Sequence, residues 1–251
     1  MPVLEPLELS LSLADVPLSV PPRGVASWVA EQGFRWVQLD GTVRFFRARE
    51  LSGSARRDLA GTLTRAEVRL SGIDLWIPPE HFADSAHVDR AMAAVTSAAE
   101  MLGELRRLGV TAPTPVVSVM MPAEPSEGVR DALAAAGDAH GVIVVDHAPA
   151  AADTLVWGAD PAAILMAGGQ PPAEVSRRGA RVMSARLDDA NAMGRCMVES
   201  GRLDVLAYAM ALSTARVDGP VVVDVRGLSD CLRAIERAKR AWAEATRLPS
   251  F

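Results

Sequence analysis

The stretch Val142-Ile143-Val144-Val145-Asp146-His147 is a short apolar run that ends in an acid and a histidine. Its length and composition are those of a buried strand. Runs of the same kind recur along the chain and alternate with amphipathic helical stretches. The clearest are residues 7–13, 36–40, 70–74, 115–120 and 221–224. Strands that alternate with helices are typical of a parallel sheet with crossover helices.

The full pattern predicts eight strands, over residues 7–13, 34–39, 70–76, 116–121, 142–145, 154–157, 181–187 and 221–225. The clearest helix has apolar residues at 88, 92, 95, 99, 102 and 105, and we expect Asp84 or Ser85 to cap it and Gly109 to end it. A chain of 251 residues is the usual length of a parallel barrel. We therefore predict an α/β protein, a single-domain (β/α)8 TIM barrel over residues 1–251. A doubly wound open sheet is the alternative, which the lack of a GxGxxG motif after the first strand disfavours.

Composition excludes several classes of function. The net charge of -5 gives no reason to expect a nucleic-acid partner. Cys196 and Cys231 lack metal-ligand spacing, and no apolar run reaches the ~20 residues of a membrane span. Residues 1–6 carry no basic segment of a signal peptide, so we expect a cytoplasmic protein. The single lysine, Lys239, lies in the last helical segment, which argues against a Schiff-base aldolase.

Acidic residues stand where the predicted strands end. Asp40, Asp74, Asp146 and Asp224 do so, and Asp188 follows the seventh strand. In parallel barrels the ligand site lies at the carboxyl ends of the strands, and carboxylates there can hold a divalent cation. Each acid alone could equally be a helix cap or a solvated loop residue. Their repetition at one end of the barrel favours a common site.

Other side chains could bind substrate or move protons. His147 follows Asp146 directly, a pairing that suits metal ligation or acid–base chemistry, although a histidine satisfied by its neighbour is an equal alternative. Trp76 and Trp157 could stack on a sugar ring or could simply pack in the core. Asp40, His81 and Arg226 complete the predicted substrate-binding set; they lie at strand ends or in a loop that could overhang the mouth.

Several stretches together resemble one known family. The stretches are 9–14, 33–40, 50–57, 70–72, 82–99, 160–168, 201–204 and 219–224. In this order they are similar to the sugar phosphate isomerase/epimerase family, the xylose isomerase-like TIM barrels related to endonuclease IV. The resemblance implies a divalent metal (Mn, Mg or Zn) held after strands five, six and eight, which here match Asp146, Asp160 and Asp224. The family's strand-seven histidine has no counterpart, and aspartate replaces both of its glutamates.

Two functions follow from this resemblance. The first is metal-assisted isomerisation or epimerisation of a sugar or polyol, with Asp146, His147 and Asp224 as catalytic groups. The second is a degenerate, non-catalytic barrel that lacks the metal and acts as a small-molecule-binding or structural protein. Either would have a sugar-like ligand as partner, and the sequence leaves homo-oligomerisation open. An endonuclease IV-like activity is disfavoured, because four scattered histidines cannot supply a trinuclear zinc site.

Overall fold

The computed structural model describes residues 7–18, 21–149 and 156–247. Within these ranges eight parallel strands close into one barrel, and a short antiparallel hairpin stands beside it. The barrel strands are β1 Leu9–Ser12, β2 Trp36–Asp40, β3 Arg69–Asp74, β4 Thr111–Val119, β5 Ile143–Asp146, β6 Val156–Ala159, β7 Val182–Leu187 and β10 Val221–Val223, and the hairpin is β8 Asp189–Asn191 with β9 Gly194–Cys196. The predicted single-domain (β/α)8 barrel is confirmed, and the open sheet is excluded, because β1 pairs with both β2 and β10.

Helices cover the outside of the barrel. They are α1 Val25–Glu31, α2 Gly53–Arg65, α3 Val88–Arg107, α4 Val129–Asp138, α5 Pro161–Met166, α6 Pro171–Arg178, α7 Val205–Ala215 and α8 Cys231–Thr246. Side-chain caps start several of them: Ser52 accepts from the Ala55 N–H, Asp204 from Ala207 and Asp230 from Arg233. Such caps satisfy backbone donors that the first helical turn leaves free. No described helix has the length and apolar character needed to span a bilayer.

Most strand boundaries differ from the sequence prediction by one to five residues, and three differences are described here. The sixth strand lies at Val156–Ala159 rather than 154–157; residues 154 and 155 fall outside the described ranges. The last strand ends at Val223, two residues early. At the start of α3 neither predicted cap is used: His87 occupies the cap position, and Asp84 instead accepts from the Ala86 N–H. Period-two and helical patterns locate elements well, but they do not fix ends to the residue.

Polar residues inside the barrel form a connected column. Ser12 and Gln38 both donate to Asp74, and Gln38 also donates to Ser118. All four side chains are buried. Because successive residues of a strand point to opposite faces, these positions turn inward while their neighbours pack against the helices. The barrel therefore has an apolar outer layer and a hydrogen-bonded polar centre.

One glycine makes room for a polar side chain in this centre. A Cβ on Gly158 would lie 2.3 Å from Cε1 of His147. The imidazole can therefore sit against β6 only because residue 158 carries no side chain. This close approach connects the sequence of β6 directly to the position of His147.

Candidate functional site at the barrel mouth

Three acids converge at the carboxyl end of the barrel. Asp160 follows β6, Asp188 follows β7 and Asp224 follows β10. Each contributes a carboxylate oxygen to a group whose members lie within 4.8 Å of one another, and all three residues are buried. Asp160 is also the N-cap of α5, where it accepts from the Ala163 N–H at 2.8 Å. The predicted ligands Asp160 and Asp224 are thus brought together, with Asp188 as the third member.

Three arginines fill the space around this cluster. Arg195, from β9, donates to Asp188 at 2.6 Å and to Asp160 at 2.7 Å. Arg226 donates to Asp224 at 2.6 Å and lies 3.3 Å from Asp160. We call the set formed by Asp160, Asp188, Asp224, Arg186, Arg195 and Arg226 the Asp–Arg network.

Arg186, on β7, joins the network to the barrel centre. Its guanidinium is fully buried and pairs with Asp74 of β3 and, at 3.1 Å, with Asp224. Burial opposes the charged form of Arg186, but these carboxylates outweigh it and raise its pKa. The same arginines act on Asp224: burial raises its pKa, but Arg226, Arg186 and Arg195 together lower it below the usual range.

Asp188 behaves differently from its two neighbours. Burial and the nearby carboxylates of Asp160 and Asp224 raise its pKa to about 8, although Arg195 opposes the shift. A carboxyl with this pKa is largely protonated at neutral pH. Four acids, counting Asp74, then face three arginines, and one proton on Asp188 balances the charge. The network is therefore close to neutral, as a buried ionic cluster has to be.

The donor set in this arrangement does not fit a divalent cation. Both oxygens of Asp160 and of Asp224 accept from arginine, and Asp188 accepts from Arg195 and from the Ala162 N–H. Two unit charges about 4 Å apart interact by about 4 kcal/mol at an effective dielectric constant near 20. Each guanidinium at such a distance would oppose a divalent ion by several kcal/mol. A metal would therefore have to displace arginines that already satisfy the carboxylates.

The predicted ligand Asp146 lies outside this cluster. Its Oδ1 accepts from the backbone N–H groups of Met121 and Ala148, at 3.0 and 2.9 Å, so it fixes the loops that follow β4 and β5. Its Oδ2 is buried and has no hydrogen-bond partner among the described residues. Burial raises the pKa of Asp146. In this position the carboxylate stabilises loop backbone.

His147 faces the barrel interior. Its Nε2 lies 3.1 Å from the Ser118 hydroxyl, and its Nδ1 is buried without a partner in the described part of the chain. The imidazole is almost completely buried, and this burial, with Arg186 nearby, holds its pKa well below the usual value. His147 is therefore neutral at physiological pH.

The predicted substrate-binding residues fall into separate places. Arg226 belongs to the network, and its guanidinium carbon lies 3.3 Å from the centroid of the Trp76 ring. Trp76 and His81 line a cavity of about 400 Å³ beside α3. Asp40 is buried and accepts from the Thr42 N–H at 2.8 Å. Trp157 is fully buried, and its indole N–H donates to the Ala148 carbonyl.

Comparison with known proteins identifies the fold. No protein-family model and no curated protein matches the sequence. Solved structures do match, over nearly the whole chain. The chain has the xylose isomerase-like TIM-barrel fold. The resemblance read from the sequence is thereby confirmed at the level of fold.

Three of these structures illustrate the similarity to this xylose isomerase-like barrel. A xylose isomerase domain protein from Planctomyces limnophilus is 14% identical, with 96% of each chain covered and a TM-score of 0.68. A xylose isomerase-like protein from Mycobacterium smegmatis, in complex with magnesium, is 13% identical, covering 96% of this chain and 98% of that one, with a TM-score of 0.64. D-psicose 3-epimerase from Clostridium cellulolyticum H10, solved with D-tagatose, is 12% identical, covering 95% and 96%, with a TM-score of 0.65.

Arg186 and Arg195 are part of the site, although the sequence did not single them out, and Asp188 was noted only as an acid after the seventh strand. The sequence does contain a signal for Arg186 and Asp188: polar Ser184, Arg186 and Asp188 alternate with apolar neighbours, which is the pattern of a strand with a polar inner face. Arg195 had none, because it comes from a hairpin that the alternation of strands and helices does not predict.

Proposed function

We propose that this chain is a metal-independent, small-molecule-binding barrel that keeps the xylose isomerase-like scaffold. The observation that carries the proposal is the occupation of the three clustered carboxylates by guanidinium groups. Arg195 bridges Asp160 and Asp188, and Arg226 pairs with Asp224. In this position arginine supplies positive charge without an open coordination site. The network would hold the mouth in one shape, and it would not polarise a substrate oxygen as a metal does.

In this proposal the ligand binds in the cavity beside the Asp–Arg network and does not contact the clustered carboxylates. The cavity of about 400 Å³ that includes Trp76 and His81 lies within the usual size range of small-molecule sites. Arg226 stacks on Trp76, so the network supports one wall of this cavity. A small-molecule ligand agrees with the D-tagatose present in the epimerase structure described above. Binding in this cavity requires no metal.

Metal titration tests the proposal. We expect the purified protein to contain less than one-tenth of an equivalent of Mn, Zn or Mg by elemental analysis. Adding each ion at millimolar concentration should leave the thermal transition unchanged, because a ligand raises the melting temperature only when it binds the native state. About one equivalent of metal per chain, together with a higher melting temperature, would contradict the proposal.

A metal-assisted sugar isomerase or epimerase is the second candidate. What favours it is the convergence of three buried carboxylates, Asp160, Asp188 and Asp224, in the neighbourhood that the family resemblance assigns to metal. The predicted catalytic set of Asp146, His147 and Asp224 belongs to this candidate, and within it the unpartnered Nδ1 of His147 is the group available for proton transfer. Turnover of D-fructose or D-tagatose that depends on added Mn would favour it over the binding protein.

A further inference from the structure

The cavity beside α3 has mainly apolar walls. We call it the α3 cavity: Ile73 of β3 and Leu75, which follows β3, line one side, and Ala91, Ala94 and Ala98 of α3 line the other. The spacing of the alanines keeps one face of the helix small where larger side chains would fill the space. Room for a ligand thus arises because alanines dominate the part of α3 that faces the cavity.

Positive charge surrounds the opening, and no acidic side chain lines it among the described residues. Arg47, Arg49, Arg90, His81 and His87 contribute the basic groups. Arg47 donates to Glu50 at 2.9 Å, and His87 pairs with Asp84 at 2.6 Å. Arg90 has no hydrogen bond or ion pair within the described part of the chain. Its guanidinium is the cation at this opening that is available to an anion.

A second group also lacks a partner. The indole Nε1 of Trp76 is buried and donates to nothing in the described residues. A buried donor without an acceptor is unfavourable. Trp76 and Arg90 both line the α3 cavity. The cavity therefore offers apolar walls and an unpaired cation, and one of its lining side chains carries an unsatisfied donor.

We infer that the α3 cavity binds a small organic acid with an apolar body and one carboxylate. This inference names the ligand class of the proposed small-molecule-binding function and rests on it. A neutral sugar fits less well, because its hydroxyl groups would be buried against Ile73, Leu75 and alanine methyl groups without partners. An apolar body matches these walls, and a carboxylate matches the guanidinium of Arg90.

An isosteric pair of probes tests the inference. Calorimetric titration of the full chain with 3-phenylpropanoate should give binding at least tenfold tighter than titration with 3-phenylpropanol, which has nearly the same shape and no charge. D-fructose should bind more weakly than the acid. Equal affinity for the acid and the alcohol, tighter binding of D-fructose, or no binding of any probe would overturn the inference.

Three variants locate the binding. Arg90→Gln should weaken 3-phenylpropanoate about tenfold and leave the alcohol unchanged, whereas Ala94→Leu should abolish binding of both by filling the cavity. Arg107→Gln is the matched control: it changes an exposed arginine on the same helix that does not line the cavity. An Arg90→Gln variant that binds the acid as tightly as the unmodified protein contradicts the assignment. The metal titration above decides the proposed function separately, since it reports on the Asp–Arg network and not on this cavity.

Discussion

The Asp–Arg network and the α3 cavity lie side by side, meet where Arg226 stacks on Trp76, and differ in almost every property. In the network, each clustered carboxylate accepts from at least one arginine, and the acids are buried. In the cavity, the walls are mainly apolar, and the cation Arg90 has no partner within the described residues. The carboxylates of the network are thus already paired, whereas the cavity leaves a cation that a ligand can pair.

Keeping the barrel fold is therefore a separate matter from keeping the chemistry at its mouth. A barrel gathers strand ends at one mouth, so acids from distant parts of the chain meet there whatever their use. Whether such acids bind metal depends on what else the strands bring, and here β7 and β9 bring arginines. The same fold can therefore carry different groups at its mouth.

The largest effect is expected when the network loses its most buried cation. Arg186→Met leaves Asp74 and Asp224 short of a partner inside the barrel. Breaking a buried ion pair from one side costs about 3–5 kcal/mol, so the free energy of unfolding measured with urea should fall by that amount. The exposed Arg107→Met serves as control and should change it by less than about 0.5 kcal/mol. A loss below about 1 kcal/mol for Arg186→Met would show that the network contributes little.

A second variant should turn the network into a metal site. Arg195→Ala removes the group that bridges Asp160 and Asp188 and so frees oxygens for a cation. We expect Mn²⁺ to stabilise this variant by about 2.7 kcal/mol at a concentration of 100 times its Kd, measured as a rise in melting temperature. The unmodified protein should show no rise.

The control for the Arg195→Ala variant also removes one of the carboxylates that would bind the ion. In Arg195→Ala with Asp188→Asn, position 188 can no longer ionise and supply a carboxylate to the ion, so the Mn²⁺ effect should shrink or disappear. A response to Mn²⁺ of equal size in the unmodified protein and in Arg195→Ala would mean that the arginine does not exclude the ion.

His147 gives the barrel centre a pH dependence. Burial lowers its pKa in the folded state, so below pH ~6.5 the unfolded chain binds a proton that the native protein does not. Stability from this group is complete well above pH ~6.5 and falls as the pH decreases, by up to about 1.4 kcal/mol per pH unit until the folded pKa is reached.

The variant His147→Gln isolates this contribution. Its free energy of unfolding, measured with urea at several pH values, should change less between pH 6.5 and 5 than that of the unmodified protein. Half-buried His140, which follows α4, provides the control: the slope of His140→Gln should stay that of the unmodified protein, since the effect belongs to His147. Parallel slopes for the unmodified protein and His147→Gln would show that the imidazole takes up its proton without unfolding.

Much of this architecture was predictable from sequence because strand ends and helix caps have local signals. Asp160 is an example: an aspartate directly before Pro161 is a local signal for the start of a helix, and in the structure Asp160 is both the cap of α5 and part of the cluster. Asp146 shows where the reasoning was incomplete. Adjacent strand residues face opposite sides, so Asp146 and His147 could not both point into the barrel. In the structure the imidazole of His147 points into the barrel, whereas the carboxylate of Asp146 accepts hydrogen bonds from the backbone of the loops.

The partners of the acids were not predictable in the same way. Arg195 reaches Asp160 across 35 positions of sequence, from a two-stranded hairpin outside the barrel. No periodicity connects such residues, because the contact depends on how the hairpin packs over the mouth. The α3 cavity is equally hidden, since alanines at 91, 94 and 98 look like any buried helix face until β3 is placed against them.

The smallest expected effect sharpens the contrast between the two regions. Arg90→Gln should change the free energy of unfolding by less than about 0.5 kcal/mol, because within the described residues Arg90 makes no ion pair that folding stabilises. Urea denaturation alongside Arg186→Met compares an arginine that makes no ion pair with the described residues with one that pairs with two buried carboxylates. If Arg90→Gln lowers the free energy of unfolding by more than about 1 kcal/mol, this guanidinium already stabilises the fold. It would then not be available to pair with an acid in the cavity. If Arg90→Gln leaves the free energy of unfolding nearly unchanged and weakens binding of 3-phenylpropanoate, then Arg90 serves ligand binding, whereas the arginines of the Asp–Arg network stabilise the barrel.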